Sequence, residues 1–157
     1  MSSRILLTLA LMAVIVILGF RMSREGRVAD GEIGLEVNVP ATYIAPRLDD
    51  GIPMLLPVRV RLVNRRETPE TLTAPTACKI FRYIVLTGGG DFVQGAGQNR
   101  ACAQEAQSAS IDAGEAIEEL FQLPLDAARF AAGDYKVWVR FWGYEATADF
   151  KVQLPAP

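Results

Sequence analysis

Histidine is absent from all 157 residues, and that omission removes much of the usual side-chain chemistry. Without imidazole there is no ordinary general base near neutral pH, no Ser-His or Cys-His nucleophile pair, and no commonest ligand for zinc or haem. The two cysteines, Cys78 and Cys102, are too few for a structural zinc or iron–sulfur centre. Three sets of neighbouring carboxylates, Asp49-Asp50, Asp112-x-x-Glu115 and Glu118-Glu119, lack calcium-loop spacing and read as solvated turns. Gly88-Gly89-Gly90-Asp91 and Gly95-x-Gly97 supply glycines without the following Lys-Ser/Thr and helix start of a phosphate cradle. They read as a hairpin turn and a loop. A net charge of −2 with mixed signs gives no basic field for nucleic acid. No catalytic, cofactor-binding or metal-binding residue is assigned, and a non-enzymatic role is expected.

Two sets of residues remain. Cys78 precedes one strand and Cys102 sits in the loop from Gly95 to Gln107, 24 positions on. A disulfide pinning that loop is the leading reading. Two free buried thiols, as a cytoplasmic domain would carry, and a reactive thiol outside any C-x-x-C motif are the alternatives. The second set is Lys136, Trp138, Arg140 and Trp142, alternating with Tyr135, Val137, Val139 and Phe141. Successive strand residues face opposite ways, so if the apolar set is buried, two tryptophans interleaved with two cations point outward. Trp and Arg are enriched in interface hot spots, which makes this the candidate protein-contact surface. A purely structural role for the same residues is the competing reading.

The elements that must position these residues are strands. Gly34 to Val39 alternates, with Leu35, Val37 and Val39 on one side. Leu56, Val58, Val60 and Leu62 are expected in the core, with Arg59 and Arg61 facing out and Pro57 near the strand start. Thr71–Thr73 is a possible short edge strand. Lys79–Thr87, Phe92–Gln94, Ser108–Ile111 and Ile117–Leu123 are further strands, and Ala127–Ala132 holds one helical turn. Tyr135–Trp142 and Glu145–Gln153 form a C-terminal hairpin about Gly143, with Ala146, Ala148, Phe150 and Val152 on one face. Seven to nine short strands with frequent turn signals and no amphipathic helical period predict an all-β antiparallel sandwich of the Ig-like kind.

Ahead of that domain, Ile5 to Phe20 runs sixteen residues without a charge. As a helix it spans roughly 24 Å against a hydrocarbon core of about 30 Å. Arg4 and Arg21 can extend its reach by snorkelling. A cleaved signal peptide is the alternative, but the exit Leu18-Gly19-Phe20-Arg21-Met22-Ser23 offers only a poor small-x-small site. The expected organisation is a transmembrane anchor over residues 1–22, a juxtamembrane linker over 23–32 and the sandwich over 33–154. Arg21, Arg24 and Arg27 on the C-terminal flank favour a cytoplasmic domain by the positive-inside rule. The cysteine pair in a β-rich domain favours a periplasmic one, and we expect an inner-membrane protein with its domain in the periplasm.

Phe130-x-x-Gly133-x-Tyr135-x-Val137-x-Val139 resembles the approach to the penultimate strand of immunoglobulin-like sandwiches, where such a Tyr can form a tyrosine corner. Val58-x-Val60-x-Leu62-x-Asn64, then Cys78-x-x-Phe81-x-Tyr83-x-Val85, then Gly114-Glu115 before an apolar strand, follow in the order seen in the Ig-like domains of the bacterial intracellular proteinase-inhibitor (BsuPI-type) family. The resemblance implies the sandwich fold and, through the family's name, proteinase inhibition. No inhibitory loop is matched residue by residue, and the anchor and cysteine pair depart from a cytoplasmic inhibitor. The expected role is a membrane-anchored interaction module, touching lipid through residues 5–20 and a membrane-protein partner through its domain, as an accessory subunit or assembly factor. A proteinase inhibitor is the alternative.

Overall fold

The computed structural model describes residues 33–46, 52–95, 102 and 104–154, all within one compact unit, Gly31–Pro157. The expected anchor (1–22), the linker (23–32), the Asp49-Asp50 pair and most of the Gly95–Gln107 loop lie outside the described residues.

The described chain is mostly strand: β1 Ile33–Asn38, β2 Thr42–Ile44, β3 Met54–Asn64, β4 Glu70–Ala74, β5 Phe81–Thr87, β6 Phe92–Gly95, β7 Gln107–Ile111, β8 Ala116–Leu125, β9 Gly133–Phe141 and β10 Tyr144–Gln153. Among the described residues, no helix is long and apolar enough to cross a membrane. The strands form a three-stranded sheet β1-β3-β8, a five-stranded sheet β2-β10-β9-β5-β6 and a two-stranded ladder β4-β7. Every pairing is antiparallel except the parallel one between β2 and β10.

Period-two patterning explains why these strands make two layers. Leu56, Val58, Val60 and Leu62 of β3 and Val85, Val137, Val139 and Phe141 of the five-stranded sheet are each 0% exposed and share one core cluster. The layers meet through aromatic rings. Phe81 of β5 stacks on Phe121 of β8 with centroids 3.7 Å apart, and Phe121 meets Phe141 edge-on at 6.1 Å. Two packed sheets with inward apolar and outward polar residues define a β-sandwich.

Both sides of the sandwich are stitched, each in a way the strand patterns do not show. On one side the first strand is split. Pro40 lacks an N–H and ends the β1 ladder. The chain then crosses to the other sheet, where Lys151 donates to the Ala41 carbonyl and Ala45 donates to that of Gln153. On the other side Gln94 acts like a short piece of strand. Its carboxamide donates to the Pro124 carbonyl at 2.6 Å and accepts from the Asp126 N–H at 2.8 Å, joining β6 to the end of β8.

Three expectations need correction. There are ten strands among the described residues rather than seven to nine. The one without any sequence signal is β2, three residues held by a partner at the far end of the chain. The strand expected from Lys79 begins only at Phe81, because Ala77–Lys79 forms a 3-10 turn. Glu118 and Glu119 lie within β8 and are not a turn, with Glu118 3.4 Å from Arg59. Asp112-x-x-Glu115 does turn, Glu115 donating to the Asp112 carbonyl and Gly114 taking a positive φ of 75°.

The end of β3 is fixed by one buried side chain. Asn64 is 0% exposed. Its Nδ2 lies 2.8, 3.1 and 3.2 Å from the carbonyls of Thr68, Ile111 and Asp112, and its Oδ1 accepts from the Arg66 N–H. One carboxamide therefore ties three chain segments together, and its buried polar atoms are all partnered, which is what makes the burial tolerable.

Candidate functional site

Register decides what the outer face of the five-stranded sheet presents. Tyr135, Val137, Val139 and Phe141 point into the core, so Lys136, Trp138 and Arg140 take the outward positions of β9. Three cross-strand rows follow. Leu86, Lys136 and Asp149 form one; Ile84, Trp138 and Thr147 the next; Arg82, Arg140 and Glu145 the third. The β5 side is apolar away from Arg82, and the β10 side carries the carboxylates. Lys136 and Arg140 reach those carboxylates only loosely, at 3.8 Å to Asp149 and 3.7 Å to Glu145.

The apolar side extends onto β6. Phe92 pairs with Leu86 and Gly95 with Ile84, so the aromatic ring continues the outward face, and it is 65% exposed. A Cβ at Gly95 would stand 3.6 Å from the Phe92 ring and 3.7 Å from the Ile84 side chain, which places that ring over the glycine. Phe92, Leu86, Ile84 and Trp138 thus make a contiguous apolar strip with cations at both ends of its β9 border.

Trp142 belongs elsewhere. It occupies the first position of the two-residue turn between β9 and β10, with φ 50°, and Gly143 follows with φ 92°. Positive φ at both central residues is the type I′ geometry that matches strand twist. It asks for Asn or Gly first, and a bulky residue there is unusual. The Trp142 N–H donates to the Ile80 carbonyl at 2.8 Å and its side chain packs partly against the core. The structure therefore brings Lys136, Trp138 and Arg140 together on one face and sets Trp142 apart in the turn.

Cys78 and Cys102 are joined as a disulfide, Cα atoms 5.8 Å apart, which holds Cys102 beside the 3-10 turn that precedes β5. The glycine hairpin has little left to offer a phosphate. Gly88 donates its N–H to the Asp134 carbonyl and Gly90 donates to that of Thr87. Tyr135 is buried, with its hydroxyl held by the backbone. Its hydroxyl donates to the Ala131 carbonyl and accepts from the Ala131 N–H, both at 3.0 Å. Tyr144, at the start of β10, has its phenol pushed above the usual tyrosine range, first by burial and then by the nearby Glu70 carboxylate, with Arg66 opposing. Among the described residues no group of three or more His, Cys, Asp or Glu side chains is placed to hold a metal ion.

No family model and no curated protein matches this chain. Among solved structures, it is similar to a β-glucosidase, EmGH1, of Erythrobacter marinus at 12% identity and a TM-score of 0.42, over 78% of this chain and 15% of that one. It is also similar to DesR, a β-glucosidase of Streptomyces venezuelae solved with D-glucose, at 13% identity and a TM-score of 0.31, over 75% and 15%. The chain spans about 15% of either enzyme, and likeness this slight carries neither fold nor activity over to it. The class that its own fold defines is an all-β sandwich carrying one disulfide.

Proposed function

We propose that this protein is a non-catalytic interaction module, an Ig-like sandwich held at the inner membrane by its N-terminal segment and facing the periplasm. Its outer five-stranded face would receive a membrane-protein partner, as an accessory subunit or assembly factor does. The observation that carries the reading is the strip Phe92, Leu86, Ile84 and Trp138, with Phe92 65% exposed and Lys136 and Arg140 at its border. An apolar centre with a charged rim is the anatomy of a protein interface, and Trp and Arg are both enriched among hot-spot residues. The Ig-like reading draws support from the Tyr135 hydroxyl bound to the backbone four residues upstream, the arrangement of a tyrosine corner. Anchoring in a membrane would raise the local concentration of this face around its partner.

Photo-crosslinking from within the membrane tests this. A photoreactive side chain at Phe92 or Ile84 of the full chain is expected to give one discrete protein adduct. The same probe at Leu120, exposed on the other sheet, is expected to give none. Equal adducts from both faces, or none from either, would defeat the reading.

A further inference from the structure

A second feature of this face lies beyond the apolar strip and shares with its border only Arg140. Arg82 and Arg140 are direct cross-strand partners on β5 and β9. Like charges directly opposite one another in a sheet are destabilising. Lys79, exposed in the 3-10 turn before β5, lines the same open cleft of about 250 Å3, together with Thr73 at the end of β4 and Gly143 of the β9–β10 turn. Among the described residues, neither Lys79 nor Arg82 has a carboxylate within ion-pair distance, and Arg140 has only Glu145 at 3.7 Å. Three cations against one carboxylate leave an excess of two positive charges around one cleft. The nearby Arg66–Glu70 pair at 2.8 Å cancels itself.

We propose that this cleft is an oxyanion site for a phosphate group, with Arg82 and Arg140 as its two forks, Lys79 as a point charge and the Thr73 hydroxyl as a neutral donor. A dianion matches the excess charge, and planar guanidinium groups bind phosphate oxygens in bidentate fashion. The frame is already rigid. The Trp142 N–H holds the Ile80 carbonyl, and the disulfide at Cys78 fixes the residue before Lys79, so little ordering remains to be done on binding. The phosphate is either free or the headgroup of an anionic lipid, since both present the same oxygens.

The test titrates the full chain in non-ionic detergent with inorganic phosphate at constant ionic strength, and in parallel with a soluble short-chain phosphatidic acid, using the matching phosphatidylcholine as control. One-to-one saturable binding is expected. Each lost charge-assisted hydrogen bond should weaken it about tenfold or more, so Arg82→Gln and Arg140→Gln should each reach that mark while Lys136→Gln leaves affinity unchanged. Competition by phosphatidic acid with greater affinity than phosphate assigns the lipid source, and phosphate alone assigns the free ion. Folding is checked in the same samples. In phosphate-free buffer Arg82→Gln should melt at or above the parent temperature, because it removes the like-charge pair. Absence of saturable binding to both ligands, or equal weakening by Lys136→Gln, overturns the site. Either result leaves the crosslinking reading of the apolar strip untouched.

Discussion

The outer faces of the two sheets carry similar residue types in opposite arrangements. On the three-stranded sheet the charges satisfy each other. Glu36 of β1 lies directly opposite Arg61 of β3 and accepts from it at 3.1 Å and from Arg65 at 2.8 Å, while Arg59 meets Glu118 of β8 at 3.4 Å. On the five-stranded sheet Arg82 faces Arg140, the remaining ion pairs are long, and apolar side chains fill the space between. One face is finished as a solvated surface. The other leaves its cations at best loosely paired with carboxylates, with apolar area between them. The difference lies in pairing across strands, since both faces contain arginines and both strands alternate.

The layers also end differently, and that gives the largest expected effects. The three-stranded layer closes on the Asn64 carboxamide and the five-stranded layer on the Cys78–Cys102 bond. Asn64→Ala should cost about 3 kcal/mol, since it strips partners from buried groups that then stay dry. Denaturant unfolding measures it, and a cost below about 1 kcal/mol would show the hub to be dispensable. Replacing both cysteines by serine should cost a similar amount, about 3 kcal/mol for a loop of this length on the chain-entropy account. The sharper signature is that reductant should lower the parent's melting temperature and leave that of the double variant alone.

Smaller effects compare the faces themselves. Glu36→Gln removes the carboxylate shared by two arginines and should cost about 0.5–1 kcal/mol, shrinking as salt rises. Trp138→Thr, which keeps a strand former at the position, should cost less than about 1 kcal/mol yet abolish the crosslink from position 92. If the order were reversed, with Trp138 the costlier loss and crosslinking intact, the assignment of paired and unpaired faces would fail. The smallest effect is alkaline. A Tyr144 phenol raised by burial and then by Glu70 holds its proton more tightly folded than unfolded. Its contribution is complete below the unfolded value, about pH 10, and is lost as pH rises through the folded one. Tyr144→Phe should flatten that alkaline fall, as followed by unfolding between pH 9 and about 11.5.

Much of the layered plan was legible beforehand because burial leaves a period of two. β3 reads inward at Leu56, Val58, Val60 and Leu62, β9 at Val137 and Val139, and the short loops between neighbouring strands carry glycine or proline where turns need them. What escaped that reading depends on distant partners. β2 has no pattern of its own in three residues and exists because β10 accepts it. Gln94 looks like any polar strand residue until Pro124 and Asp126 arrive beside it. Trp142 continues the alternation of β9 in sequence, yet the hairpin takes it for the turn.

The sequence by itself determined that this chain brings no imidazole to any chemistry, that strands with one greasy side must pair into two layers, and that Lys136, Trp138, Arg140 and Trp142 alternate with Tyr135, Val137, Val139 and Phe141. Those statements follow from residue type and from the alternation of side chains along a strand. Only the tertiary structure decided which of those two sets is buried and that Trp142 leaves for the turn, that Arg82 stands against Arg140, that Phe92 extends the strip at Trp138, and that Lys79 and Thr73 line one cleft with the two arginines. Cross-strand register is set by hydrogen bonding between segments far apart in the chain, and a one-residue slip would place every one of these neighbours on the wrong side.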